Sequence, residues 1–363
     1  MPISLHRPRK GRGAFSNLAH RFESVKREAD GDALDHAVRE DGDALPPLAT
    51  TVTYEHAKSL LAYNDSPDIP FDRSINPYRG CEHGCVYCYA RPTHSYLNLS
   101  PGLDFETKLT AKVNAVDVLR GELGARGYRA DVVNIGSATD AYQPVERELK
   151  ITRGVLELLL ACKHPFSIVT KSSLVERDLE LLQSAAADGL AAVFISVTTL
   201  DHALSRALEP RAASPSRRLR TIEALSRAGV PVHVNPAPVI PFITEPELER
   251  ILEAAANAGA INAHYTVLRL PWEVNPLFQE WLQAHYPDRA QRVMNRVRDM
   301  RGGKDYEAEW KTRMKGDGLW ADLIRQRFTK ACDRLGLARS NERPLRTDLF
   351  VPPAIETPQL GLF

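Results

Sequence analysis

The run Cys81-Glu82-His83-Gly84-Cys85-Val86-Tyr87-Cys88 sets three thiols within eight residues. Thiolates at this CxxxCxxC spacing can converge on one iron–sulfur cube, and without a nearby fourth ligand one iron stays open to a substrate or cofactor. A structural zinc site calls instead for two cysteine pairs, or a cysteine pair and a histidine pair, closing a tetrahedron. His83 lies inside the loop beside Gly84, and Cys162 and Cys332 are distant and isolated, so zinc is the weaker reading.

The surroundings of the motif carry a resemblance. Ser74-Ile75-Asn76-Pro77-Tyr78-Arg79-Gly80-Cys81, followed by Val86-Tyr87-Cys88-Tyr89-Ala90, is similar to the cluster loop of radical S-adenosylmethionine enzymes, specifically the spore photoproduct lyase-like group. Val169-Thr170-Lys171, Phe194-Ile195-Ser196, and Leu208-Glu209-Pro210-Arg211 with Ser214-Pro215 resemble that group in the same order, so the likeness runs over residues 50 to 270. It implies a [4Fe–4S] cluster on Cys81, Cys85 and Cys88, with S-adenosylmethionine chelating the open iron. An electron from a donor such as flavodoxin or ferredoxin would then release methionine and a 5′-deoxyadenosyl radical that takes a hydrogen atom from the substrate. The hard chemistry belongs to the cofactor, and the protein supplies placement and exclusion of water.

Elements must position these groups. Val-, Ile- and Phe-rich segments at Ser74–Arg79, Asp131–Ile135, Ser167–Thr170, Ala192–Val197, Val230–Asn235 and Ala263–Leu268 read as strands. Helical patterns lie between them at Lys108–Glu122, Ile151–Ala161, Val175–Ala187, Ser216–Ala228 and Glu245–Ala258. Repeated strand–helix units favour parallel strands with right-handed crossovers. The expected fold is therefore α/β, a partial open (β/α)6 barrel with a C-terminal helical extension, and the resemblance implies a barrel of this radical SAM type.

In such barrels the C-terminal strand ends face the site. The cysteine loop follows the first strand. After the second comes Asn134-Ile135-Gly136-Ser137-Ala138-Thr139-Asp140, small and polar enough for close backbone approach. The resemblance assigns Gly136, Ser137 and Thr139 to the methionine end of the cofactor; a capped helix entry is the competing account. Lys171 and Ser196, ending the third and fourth strands, correspond to contacts with the cofactor's carboxylate and ribose. A lysine leaving an apolar strand needs an anion, and pairing with Glu209 or Asp140 would satisfy it equally. Tyr87 and Tyr89 match tyrosines near the adenosyl group, Tyr87 as a cofactor contact and Tyr89 as a catalytic hydrogen-atom relay; packing of the loop is the plain alternative.

One departure matters. The lyase carries a hydrogen-donating cysteine at the end of the second strand, where this chain has Gly136-Ser137-Ala138-Thr139. The lyase reaction itself is therefore not implied. Cys162 continues the apolar stripe of Ile151, Val155, Leu158 and Leu159 and reads as a core residue. Cys332 has no metal companion.

The chain of 363 residues carries a formal net charge of +1, so no overall field points to a polyanion. No apolar run is long enough to cross a bilayer and no secretory signal opens the chain, which favours the cytoplasm and reduced thiols. Residues 1–45, basic and then acidic, read as a mobile arm with little to bury, free to contact phosphates or simply solvated. Residues 46–270 form the barrel. Residues 271–345 form a helical extension whose Trp and Arg residues could grip nucleic acid, although a cap over the open side of the barrel is favoured. Residues 346–363 read as an extended tail. Its Gln359, Leu360, Leu362 and Phe363 look like the peptide by which bacterial proteins bind the DNA polymerase sliding clamp.

Three functions remain in view: a radical SAM enzyme acting on DNA or another nucleic acid, the same chemistry on a protein or metabolite, and a non-enzymatic Fe–S or zinc module.

Overall fold

The computed structural model describes residues 9–23, 48–339 and 344–354; the rest of the arm and the Gln359–Phe363 peptide lie outside them. In chain order the strands are β1 (Thr51–Glu55), β2 (Leu61–Tyr63), β3 (Arg73–Ile75), β4 (Tyr78–Arg79), β5 (Lys108–Lys112), β6 (Val133–Ile135), β7 (Phe166–Thr170), β8 (Ala191–Ser196), β9 (Val232–Asn235) and β10 (Asn262–Ala263).

The main sheet has the order β10-β9-β8-β7-β6-β3-β2. From β3 to β10 every neighbouring pair is parallel, and β2 adds an antiparallel edge strand to β3. β2 and β10 are not bonded to each other, so the barrel is open, as the alternating pattern led one to expect. The period of two along each strand decides what lies where. Val133, Ile135, Phe166, Ile168, Val193, Ile195, Val232 and Val234 join one buried cluster with Val155, Leu159, Leu182, Ile222, Leu225, Ile251 and Leu252 from the crossover helices. Asn134, Ser167, Phe194 and His233 alternate with them and take the opposite face. Each fully buried aliphatic side chain contributes about 1.5–3 kcal/mol. Truncating one such as Leu159, which is 0% exposed, would cost about 2–5 kcal/mol.

Several sequence expectations change. The strand expected over Ser74–Arg79 is two strands in two sheets, because Pro77 cannot donate to a ladder and breaks it. The helix expected over Lys108–Glu122 begins only at Ala115; Lys108–Lys112 alternates in burial and pairs as β5, parallel to β1 and antiparallel to β4. This small sheet β1-β5-β4 feeds directly into the cysteine loop, since β4 ends two residues before Cys81. β10 is Asn262–Ala263 and overlaps the expected Ala263–Leu268 only at Ala263.

The expectation of a solvated arm fails for residues 9–23. Ala14 and Phe15 are buried, with Phe15 packed in the cluster that contains Cys85, Val86 and Tyr87. Beyond the barrel, Met314 O accepts from the Val267 backbone N–H at 2.9 Å. From the same segment Arg313 reaches Asp68, in the connection after β2, with its Nε 2.7 Å from Oδ2. The C-terminal extension thus ties both edges of the open sheet together, in keeping with a cap.

Candidate active site

The loop that bears the cysteines is held mainly by backbone bonds. Cys81 N–H donates to Phe105 O at 2.9 Å, Cys88 N–H to Cys85 O at 3.2 Å, and Val86 N–H to Leu208 O at 3.1 Å. All three cysteines are free thiols, Cys81 and Cys85 buried and Cys88 half-buried. Burial pushes the Cys81 thiol well up and that of Cys85 to about 12, so the bare loop holds neutral thiols there. A cation in contact with sulfur would reverse that preference and release the protons. Among the described residues no three His, Cys, Asp or Glu side chains are gathered closely enough to hold one metal ion. A cube differs in that each thiolate takes its own iron. The free, disulfide-less trio therefore suits a polynuclear cluster better than a lone ion.

Sequence reasoning missed the residues behind this loop. Arg91, 0% exposed, donates to Cys85 O at 2.9 Å, Gly84 O at 3.2 Å, Pro101 O at 3.0 Å, Gly102 O at 2.9 Å and Glu106 Oε1 at 2.5 Å. Glu106 in turn accepts from the backbone N–H of Gly13 at 3.0 Å and of Ala14 at 2.8 Å. The N-terminal segment therefore lies directly against the cluster loop: a Cβ on Gly13 would sit 1.7 Å from Gly84 O. An arginine immediately after Cys88-Tyr89-Ala90, beside Pro92, was the one signal available; nothing in the sequence linked it to Glu106 or Gly13.

The strand ends named from sequence do assemble at one mouth. Gly136 has φ +91°, and a Cβ there would lie 2.8 Å from Val169 O, so only glycine permits this close passage of two loops. Asn76 Nδ2 donates to Ser137 Oγ at 3.2 Å and Asn76 Oδ1 accepts from Ala138 N–H at 2.8 Å, joining the first strand's end to the second's. Thr139 turns toward the cysteine loop, with its hydroxyl donating to Gly80 O at 2.6 Å. Ser196 is buried at the end of β8, its carbonyl taken by Arg218 at 3.0 Å.

Charge at the mouth is arranged in two buried groups. Asp140 accepts from Thr170 Oγ1 at 2.7 Å and from the Lys171 backbone N–H at 2.8 Å, and its Oδ2 lies 3.2 Å from His83 Nδ1. Burial opposes its charge, but His83 and these donors hold its carboxyl well below the usual carboxylate range. His83 is thus committed to Asp140. Glu209 accepts from Arg218, Thr198 and Tyr87. Burial is again outweighed, here by Arg218 and Lys171, and its pKa falls to about 2. Lys171 itself stays charged despite burial because the Glu209 carboxylate faces it, and Cys85 adds to that attraction once its sulfur is a thiolate. The two tyrosines separate: Tyr87 is buried with its hydroxyl on Glu209 and its ring 5.9 Å from Lys171 Nζ, whereas Tyr89 is 49% exposed and donates to Ser137 O. Cys162 and Cys332 lie in the hydrophobic core. Among the described residues no helix is long and apolar enough to cross a membrane.

Comparison with known proteins gives the same outline. A family model described as the Radical SAM superfamily matches residues 75–255. An uncharacterized protein of Mycobacterium tuberculosis is 37% identical over 259 residues, which cover 70% of this chain and 75% of that protein. An uncharacterized protein of Methanocaldococcus jannaschii is 25% identical over 223 residues, 61% of this chain and 80% of that one. Spore photoproduct lyase complexed with dinucleoside spore photoproduct has the same fold, with a TM-score of 0.53 at 15% identity over 79% of this chain and 80% of that one. A mutant of that lyase carrying AdoMet and the dinucleoside aligns equally, with a TM-score of 0.53.

Proposed function

The chain belongs to the radical SAM superfamily, and on that premise we propose that it is an enzyme that uses a [4Fe–4S] cluster on Cys81, Cys85 and Cys88 to act on a nucleic acid. The observation that carries this reading is the meeting of the three-cysteine loop with Gly136, Ser137, Lys171 and Ser196 at one mouth of a parallel barrel. When bound, the cluster and S-adenosylmethionine supply a reductively formed 5′-deoxyadenosyl radical.

The residues around them bind, orient and shield. Lys171 offers a fixed positive charge to the carboxylate of the methionine moiety, with the Glu209 carboxylate keeping it protonated. Gly136 lets the backbone approach, and Ser137 and Ser196 offer hydroxyls at the strand ends. Thr139 belongs to the same loop and braces Gly80 ahead of Cys81. Tyr87 backs Lys171, and Tyr89, open to the mouth, is the group best disposed to pass a hydrogen atom between cofactor and substrate. The buried Asp140–His83 and Glu209–Arg218 pairs hold these groups in place.

The nucleic-acid substrate is supported by the shared fold with a lyase complexed with a dinucleoside spore photoproduct, and by the tail Gln359, Leu360, Leu362 and Phe363, which resembles a sliding-clamp peptide. The absence of a thiol at Gly136-Ser137-Ala138-Thr139 argues for a reaction other than the lyase's own. A flavodoxin or ferredoxin would supply the electron.

The test is anaerobic reconstitution followed by assay with S-adenosylmethionine and dithionite. The expected outcome is a [4Fe–4S] spectrum and 5′-deoxyadenosine, with deuterium passing into it from a deuterated oligonucleotide. Retention of zinc alone with no cleavage of S-adenosylmethionine would overturn the reading. Clamp recovered equally by the full chain and by a chain lacking Gln359–Phe363 would remove the support from the tail.

A further inference from the structure

Three exposed aromatic side chains gather around one arginine. Phe22, Tyr96 and Trp272 come from three separate segments and are 53%, 71% and 63% exposed. One guanidinium serves all three: Arg21 lies 4.8 Å from the Phe22 ring centroid, 5.4 Å from that of Tyr96 and 4.4 Å from that of Trp272. Glu273 fixes it, accepting from Arg21 NH1 at 3.1 Å and from its backbone N–H at 3.1 Å. Trp272 also has φ +45°, a left-handed conformation that is unfavourable for a non-glycine residue. Its indole faces solvent.

The cluster continues to the mouth. Arg269 is three residues from Trp272, no more than about 10 Å along the chain, and its guanidinium stands 5.2 Å from the ring centroid of Tyr89. Tyr89 touches Ser137 at the mouth itself. Arg269 Nε finds no acceptor among the described residues. Aromatic rings and guanidinium groups therefore alternate outward from the proposed radical site: Tyr89, Arg269, Trp272, Arg21, then Tyr96 and Phe22.

We infer that this stripe is a stacking platform for unpaired bases of a single-stranded or locally opened nucleic acid, guiding the strand into the mouth; the inference rests on the nucleic-acid reading above. Every base offers a π-face to a tyrosine or tryptophan ring whatever its sequence, and guanidinium groups between the rings meet phosphates or stack in turn. A small metabolite needs no platform outside the mouth. A paired duplex hides its base faces and has nothing to stack here.

The experiment measures fluorescence anisotropy of labelled oligothymidylate, alone and annealed to oligoadenylate, with the reconstituted full chain and its Trp272→Ala, Tyr96→Ala and Trp272→Phe variants. Iron content after reconstitution certifies each preparation. The single strand should bind more tightly than the duplex. Each alanine variant should weaken binding by about five- to a hundredfold, and Trp272→Phe should restore most of the loss. Equal binding by the alanine variants would overturn the platform while leaving the nucleic-acid reading intact. So would preference for the duplex, or a phenylalanine variant as weak as alanine. Failure of the unaltered chain to bind either form would overturn both.

Discussion

Arg91 and Glu106 form an ion pair 2.5 Å long with both side chains 0% exposed, directly behind the cysteine loop. The pair links two otherwise separate supports, since Arg91 holds the loop carbonyls of Gly84 and Cys85 while Glu106 holds the N-terminal backbone at Gly13 and Ala14. Breaking a buried pair leaves one uncompensated charge, at a cost of about 3–5 kcal/mol. Glu106→Gln should therefore lower unfolding stability by roughly that amount and reduce iron bound after reconstitution. Arg91→Lys should do the same, because one ammonium cannot reach five acceptors. Chemical denaturation and iron assay check both, and full iron content in either variant would refute the supporting role.

Glycines 13 and 121 give a contrast. A Cβ on Gly13 would lie 1.7 Å from Gly84 O, whereas one on Gly121, inside the helix Ala115–Leu123, meets nothing within 4 Å. Gly13→Ala should lift the N-terminal segment from the cluster loop and lower both iron retention and the thermal midpoint. Gly121→Ala should raise stability by about 0.5–1 kcal/mol through helix propensity. A Gly13→Ala protein as stable as the parent would show that the contact is dispensable.

Lys171→Met keeps the stem and removes the charge held by Cys85 and Glu209. A charged hydrogen bond contributes about 1.5–3 kcal/mol, so KM for S-adenosylmethionine should rise about ten- to a hundredfold with a smaller fall in kcat. Iron content should not change. Steady-state 5′-deoxyadenosine formation measures this, and an unaltered KM would remove Lys171 from the cofactor site.

His164 offers a prediction about pH. Its Nδ1–H donates to Pro165 O at 2.9 Å, so its Nε2 must accept from the Tyr128 hydroxyl at 2.8 Å; the neutral ring is fully satisfied. Burial lowers its pKa from 6.5 to about 4. Both states are neutral above pH 6.5; between 6.5 and 4 only the unfolded chain takes up the proton, so stability is lost as pH falls through that window. The loss is about 3 kcal/mol at most for this residue. Buried His94 and His233 and half-buried His264, also near 4, add their own shares. Urea midpoints at pH 7.5 and 5.0 should differ less in His164→Gln than in the parent. An undiminished difference would assign the pH dependence elsewhere.

Local signals in the sequence were enough for the three-cysteine loop, the parallel strand–helix alternation and the strand ends that meet beside that loop. Thiol spacing and a period of two or 3.6 are written over a few consecutive residues, and the crossover rule then fixes the order of strands. Lys108–Lys112 misled because its alternation is short and leads into a genuine helix, and Ser74–Arg79 because Pro77 divides it between sheets. Tertiary structure alone decided that residues 9–23 close over the cysteine loop, that Arg91 meets Glu106, that His83 serves Asp140, and that Arg21 gathers three exposed rings. Most of those partners lie tens to hundreds of residues apart. Even Arg91 and Glu106, separated by 15 residues, belong to different elements, and each buried charge is tolerable only because the fold delivers a counter-charge that no local pattern encodes.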